Sequence, residues 1–88
     1  MYIPRIPLRL QESVTYFEKS IQILPSYTQA YQNMGLALEE LKQFDKALGV
    51  YQRGISTDPE YSPLIYNAGV LLFNQGKYTQ ALTFLQDA

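Results

Sequence analysis

The chain has 88 residues, enough for one small domain, and 47% of them are hydrophobic while 17% are charged. This balance predicts a folded chain rather than a disordered one. The formal charge of −1 gives no electrostatic reason to expect nucleic acid as a partner. The sequence contains no cysteine and no histidine, so thiol chemistry and the usual zinc ligands and general base are excluded. We therefore expect no cofactor, no metal site and no catalytic residue.

The N-terminal residues predict neither a secretory signal nor a membrane anchor. Pro4 and Pro7 interrupt the short apolar stretch at the start of the chain. No apolar run approaches the roughly 18–20 residues that a membrane-spanning helix needs. We expect no membrane insertion, a cytoplasmic protein by default, and an extended lead-in over residues 1–7, with Pro7 suited to the first turn of a helix.

The first predicted helix runs from residue 8 to Pro25. Its apolar residues recur at spacings of three and four, which is typical of an amphipathic helix; they are Leu10, Val14, Phe17, Ile21 and Leu24. Pro25 should end it, because the proline ring disfavours helical geometry at Leu24.

Two helical pairs should follow. The second helix is expected from about Gln29 to Leu41, with Ser26 and Thr28 supplying capping oxygens, and the third from an Asp45 N-cap to about Ser56. The fourth is expected from a Ser62 N-cap to about Asn74, and the fifth from a Thr79 cap to the end of the chain. Gly76 should make the turn between them.

The pattern repeats after 34 residues. This shift places like on like at eight positions: Pro25 on Pro59, Tyr27 on Tyr61, Asn33 on Asn67, Gly35 on Gly69, Leu38 on Leu72, Ala47 on Ala81, Leu48 on Leu82 and Gln52 on Gln86. A fixed period of this size is typical of solenoid proteins.

Within the repeat, large and small residues alternate in a defined order. The first copy consists of Tyr31, Met34, Gly35, Leu38, Phe44, Ala47, Tyr51, Gly54 and Pro59, and the second of Ile65, Ala68, Gly69, Leu72, Tyr78, Ala81, Leu85 and Ala88. In this pattern the chain resembles the tetratricopeptide repeat family. Ile65 departs from it by replacing an aromatic residue, and Ser13 and Ser20 by replacing alanine.

The resemblance implies an all-α fold in which antiparallel helix-turn-helix repeats stack as a short right-handed solenoid of about five helices. Residues 8–88 would form one domain, with half a repeat at 8–27, a full repeat at 28–61 and a nearly full repeat at 62–88. Small residues such as Gly35 and Ala47 would let the paired helices approach closely.

In this family the first helix of each unit lines a concave groove that takes an extended peptide or a partner helix. The resemblance therefore implies a protein–protein interaction scaffold. The site residues that it implies are Gln29, Asn33, Leu36, Glu40, Tyr66, Asn67, Val70, Phe73 and Asn74. Chaperone-tail members of the family grip a carboxylate with lysine and arginine, and none of these positions is basic.

Several alternatives stay open at this level. Asn33 and Asn67 share a repeat position and could hold a peptide backbone, or they could simply be tolerated on a hydrated face. Glu39 and Glu40 could favour a basic ligand or form a solvated face. Tyr66 and Phe73 could anchor a ligand or pack against a further repeat.

The function also has alternatives. The chain could be a substrate-recruiting segment of a larger enzyme, such as a glycosyltransferase. It could also self-associate into a homo-oligomer, because the terminal helices carry apolar residues and have no polar capping helix.

Overall fold

Five helices make up the described part of the chain. The structure, a computed structural model, describes residues 6–87, with side chains from Arg9 to Gln86. The helices are α1 (Ile6–Ile23), α2 (Thr28–Glu40), α3 (Phe44–Thr57), α4 (Ser62–Asn74) and α5 (Tyr78–Asp87). Residues 6–87 contain no strand. The predicted all-α helical repeat is confirmed.

The helices lie in two layers. Consecutive helices pack against each other, and α2 also contacts α4. The described chain measures 46 × 33 × 15 Å. Packed helix axes lie about 8–10 Å apart and Cα atoms lie about 2.3 Å from each axis, so the shortest dimension corresponds to two helices. We call α2 and α4 the first-helix layer and α1, α3 and α5 the second-helix layer.

Glycine permits the close crossing inside each hairpin. A Cβ atom at Gly35 would lie 2.1 Å from Cε1 of Tyr51, and one at Gly69 would lie 2.7 Å from Cδ2 of Leu85. Both distances are far below van der Waals contact. Tyr51 itself is completely buried. The predicted packing role of these small residues is confirmed, because each one leaves the space that a large side chain of the paired helix fills.

The turns inside the two hairpins share one backbone geometry. Lys42 and Gly76, one repeat period apart, both have positive φ angles, of 64° and 79°. After each of them the next amide donates back to the preceding helix, from Gln43 N to Leu38 O and from Lys77 N to Leu72 O, each at 2.9 Å. This pattern ends helices with a residue in the left-handed conformation, which glycine adopts without strain and lysine does not.

The predicted N-caps are wrong. The residues that precede α2, α3 and α4 are Tyr27, Gln43 and Tyr61, and none of them makes a side-chain cap hydrogen bond. Asp45 lies inside the first turn of α3 rather than before it. Its carboxylate there faces the positive end of the helix dipole, which is favourable without a cap.

The start of α1 also differs from the prediction. The helix begins at Ile6, so residues 6 and 7 are helical rather than extended. Proline costs little in a first turn, where the amide has no helical partner in any case. The rest of the predicted lead-in, residues 1–5, lies outside the described residues.

The departures from the repeat pattern are accommodated locally. Ile65 is 6% exposed and fills its core position without an aromatic ring. The hydroxyl groups of Ser13 and Ser20 donate to the carbonyl groups of Arg9 and Tyr16, at 2.9 and 3.1 Å. These bonds satisfy the two partly buried hydroxyl groups within α1.

Candidate functional site

The site residues implied by the repeat pattern form two stripes on the first-helix layer. The α2 stripe has exposed side chains at spacings of four, three and four; it consists of Gln29, Asn33, Leu36 and Glu40. The α4 stripe consists of Tyr66, Asn67, Val70, Phe73 and Asn74. Because α2 and α4 contact each other, the two stripes lie on neighbouring helices. We call them together the α2/α4 stripes.

The apolar side chains of the stripes are accessible. Leu36, Tyr66 and Phe73 are 42%, 57% and 55% exposed. Phe73 also packs edge-to-face on Tyr78 of α5, with ring centroids 5.1 Å apart. This contact restrains the Phe73 ring, so a ligand that binds it loses less side-chain entropy. Exposed aromatic residues of this kind often dominate binding energy.

The two asparagines of the stripes have different surroundings. Asn33 is exposed, whereas Asn67 is only partly accessible. The Nδ2 atom of Asn67 is shielded from solvent and has no hydrogen-bond partner. In this orientation its amide group cannot donate to a peptide, and exchanging the amide oxygen and nitrogen would leave the buried position to an acceptor.

Two neighbours of the stripes are engaged inside the protein. The hydroxyl of Tyr51 donates to the carboxylate of Glu39, and the hydroxyl of Tyr61 donates to Oε1 of Gln32 at 3.2 Å. Burial, followed by the hydrogen bond and the negative charge of Glu39, raises the pKa of Tyr51 above its ordinary range. Glu39 therefore has a structural partner, and Glu40 is the fully exposed carboxylate of the adjacent pair.

A second surface, between α1 and α3, is not anticipated by the repeat pattern. It is a groove of about 650 Å³. Its lining residues are Gln11, Val14, Thr15, Glu18, Lys19 and Gln22 of α1, Met34 and Leu38 of α2, and Gln43, Lys46, Gly49, Val50 and Arg53 of α3 together with the residue before it. We call it the α1/α3 groove. One signal of it exists in the sequence, since a shift of 34 residues places Lys19 on Arg53.

An ion pair joins the two walls of this groove. Two nitrogens of the Arg53 guanidinium donate to the two carboxylate oxygens of Glu18, at 3.3 and 3.2 Å. The guanidinium carbon also lies 5.7 Å from the centre of the Tyr31 ring. The bidentate geometry fixes Arg53, although an exposed pair of this kind stabilises a fold by at most about 1 kcal/mol.

Other kinds of site are not seen in the described part of the chain. Between residues 6 and 87, no helix is both long and apolar enough to cross a membrane. The same stretch brings together no group of three histidine, cysteine, aspartate or glutamate side chains that could hold a metal ion.

Comparison with known families agrees with the fold and the repeat. Two tetratricopeptide repeat models match the chain, one over residues 38–88 and the other over residues 16–49. The chain belongs to the tetratricopeptide repeat family. The family points to a module that contacts other proteins rather than to a catalytic domain.

One similar protein is Hsp70-Hsp90 organizing protein 3 of Arabidopsis thaliana. The two sequences are 37% identical over 51 residues, which is 58% of this chain and 9% of that protein. The chain thus matches only a small part of a much longer relative. The similarity supports protein–protein interaction as the general role.

Proposed function

We propose that the α2/α4 stripes bind an extended peptide or a partner helix. The observation that supports this most is the exposure of Leu36, Tyr66 and Phe73 on two helices that contact each other. Apolar anchors flanked by amide side chains suit a peptide, because the anchors gain from burial while Asn33 and Gln29 can pair with its backbone.

The proposed ligand is not a free carboxylate. The name of the relative indicates that it organizes Hsp70 and Hsp90. The family members that bind chaperone tails use basic side chains in the groove, and the α2/α4 stripes contain none. We therefore expect an amidated peptide to bind as well as the same peptide with a free C-terminal carboxylate.

A displayed library of random 12-residue peptides, selected against the chain, tests the proposal. Fluorescence anisotropy then gives the affinity of each enriched peptide for the wild type and for Tyr66→Ala/Phe73→Ala. We expect the double variant to bind at least about tenfold more weakly, as is typical of aromatic anchors. Asn33→Ala tests the proposed backbone contact separately.

Tyr16→Ala is the matched control. Tyr16 is an exposed aromatic residue of α1, in the other layer, at 67% exposure. Its removal should leave the affinity unchanged. If no peptide is enriched, or if Tyr16→Ala weakens binding as much as the double variant, the α2/α4 stripes are not the binding surface.

Self-association is a second candidate function, supported by one comparison between the repeats. Leu48 packs against the core in the first full repeat, whereas its equivalent Leu82 in α5 is 55% exposed. The α4 helix packs on α3, and no described helix packs on the equivalent side of α5. A second copy could cover that face. Sedimentation over a range of concentrations tests this, with Leu82→Lys expected to favour the monomer; equal monomer fractions in both proteins would contradict it.

A further inference from the structure

The floor of the α1/α3 groove is apolar. Val14, Met34, Leu38 and Val50 line it, and each is buried but retains 2–8% of its surface. The groove is therefore a narrow slot between helices rather than a broad patch. Such a slot suits a single apolar side chain better than the face of a whole helix, which is about 10 Å wide.

The walls of the groove are basic, in contrast to the chain as a whole. They include three of the seven basic residues, Lys19, Lys46 and Arg53, but only one of the eight acidic residues, Glu18. Glu18 is paired with Arg53. Among the described side chains, Lys19 and Lys46 have no ion-pair partner. Two free ammonium groups thus flank an apolar slot in a protein whose formal charge is −1.

Gly49 adds an independent observation. It lies in the interior of α3, where glycine destabilises a helix relative to alanine. The glycines at helix crossings, such as Gly35, face side chains that leave no room for a Cβ atom, but a Cβ at Gly49 would have nothing within 4 Å. Packing inside the protein therefore does not explain Gly49. Its position in the wall of the groove does, because glycine allows a ligand to approach the helix backbone closely.

We propose that the α1/α3 groove binds an acidic peptide segment that inserts one apolar side chain between Lys19 and Lys46. The apolar side chain would rest on Val50 and Met34, with carboxylates on either side facing the two lysines. Gln11, Gln22 and Gln43 line the same groove and supply amide groups for the peptide backbone. This surface lies in the second-helix layer and is separate from the α2/α4 stripes.

The test is a titration of the 15N-labelled chain, followed by amide chemical shifts, with the acetylated and amidated peptide Glu-Glu-Leu-Glu-Glu. At millimolar peptide we expect shift changes in residues 11–22 and 43–53. Glu-Glu-Ser-Glu-Glu should bind more weakly because it lacks the apolar anchor, and Lys-Lys-Leu-Lys-Lys should not bind there. Raising the salt concentration should weaken binding, as it screens the lysine–carboxylate attraction.

Three variants make the test specific. Lys19→Glu/Lys46→Glu should weaken binding about tenfold or more, since each reversal replaces attraction by repulsion. Gly49→Leu should fill the slot and abolish binding while the far-ultraviolet circular dichroism shows an intact helical fold. Lys77→Glu makes the same charge change outside the groove and should leave binding close to that of the wild type.

Other outcomes overturn the proposal. The groove does not bind this class of peptide if the amides of α1 and α3 do not shift, or if Gly49→Leu binds like the wild type. If Lys77→Glu weakens binding as much as one lysine reversal in the groove, the attraction is only that of general charge. Shift changes confined to α2 and α4 would assign the peptide to the α2/α4 stripes instead.

Discussion

The hydroxyl of Tyr51, in α3, donates a hydrogen bond to the carboxylate of Glu39, in α2. The ring of Tyr51 occupies the space that Gly35 leaves open one turn earlier in α2. One side chain thus packs against the glycine and satisfies its own buried polar atom on the same neighbouring helix. This combination links the close crossing of the hairpin to a charged hydrogen-bond acceptor.

Replacing Tyr51 with phenylalanine should keep the packing and remove the hydrogen bond. We expect Tyr51→Phe to lower the free energy of unfolding by about 1–2 kcal/mol, toward the lower end because Glu39 is partly accessible and can be hydrated. Urea denaturation measures the change. Tyr61→Phe is a control that removes a bond to the uncharged Gln32 and should cost less. Equal losses in the two variants would contradict a special role for the carboxylate.

The raised pKa of Tyr51 predicts a loss of stability in alkaline solution. In the unfolded chain a tyrosine titrates near pH 10. The folded pKa is higher, so the stabilisation is complete below about pH 10 and is lost as the pH rises above it. The slope from this one group approaches about 1.4 kcal/mol per pH unit.

The contribution of Tyr51 can be isolated from that of the other tyrosines. Urea denaturation of the wild type and of Tyr51→Phe at several values between about pH 8 and pH 11 gives the difference in stability. This difference should shrink above about pH 10, because the variant lacks the titrating group. A constant difference across that range would show that Tyr51 titrates alike in both states.

The two left-handed turn residues predict opposite effects of substitution. Lys42→Gly should raise the free energy of unfolding by roughly 0.5–1 kcal/mol, since glycine relieves the strain of a positive φ angle at some cost in chain entropy. Gly76→Ala should lower it by roughly 1 kcal/mol for the converse reason. Thermal or urea denaturation of both variants checks this. A loss of stability in Lys42→Gly would mean that the lysine side chain stabilises the turn.

Two glycines at different places in the hairpin predict a second matched pair. Gly35→Ala should destabilise the fold by roughly 1–3 kcal/mol, because the added methyl group collides with the buried ring of Tyr51. Gly49→Ala adds the same methyl group in open space and should stabilise α3 by roughly 0.5–1 kcal/mol. Melting temperatures that fall in both variants would show that the surroundings of Gly49 are not open.

The number, order and type of the helices could be predicted from the sequence because two signals coincide. The apolar spacing in each helix repeats after 34 residues, so each half of the pattern supports the other. The caps could not be predicted in the same way. Phe44 packs against the core and is the first residue of α3, so tertiary contact rather than the capping preference of Asp45 determines where the helix begins.

The candidate surfaces show the same division. The α2 stripe follows directly from helical spacing, since Gln29, Asn33 and Leu36 lie on one face. The shielding of Asn67 Nδ2 could not be predicted, because it depends on how side chains pack around α4. The α1/α3 groove depends on residues from three helices in two repeats, and no spacing within one repeat indicates that they meet.

The two-layer arrangement also determines how far apart in the chain contacting helices lie. Within residues 6–87, the most widely separated helices that touch are α2 and α4. A chain whose contacts are this local closes only short loops as it folds, which is typical of folding in microseconds to milliseconds. Each helix can therefore begin to pack as soon as its neighbour has formed, and the outermost helices, which have a neighbour on one side, should be the first to fray.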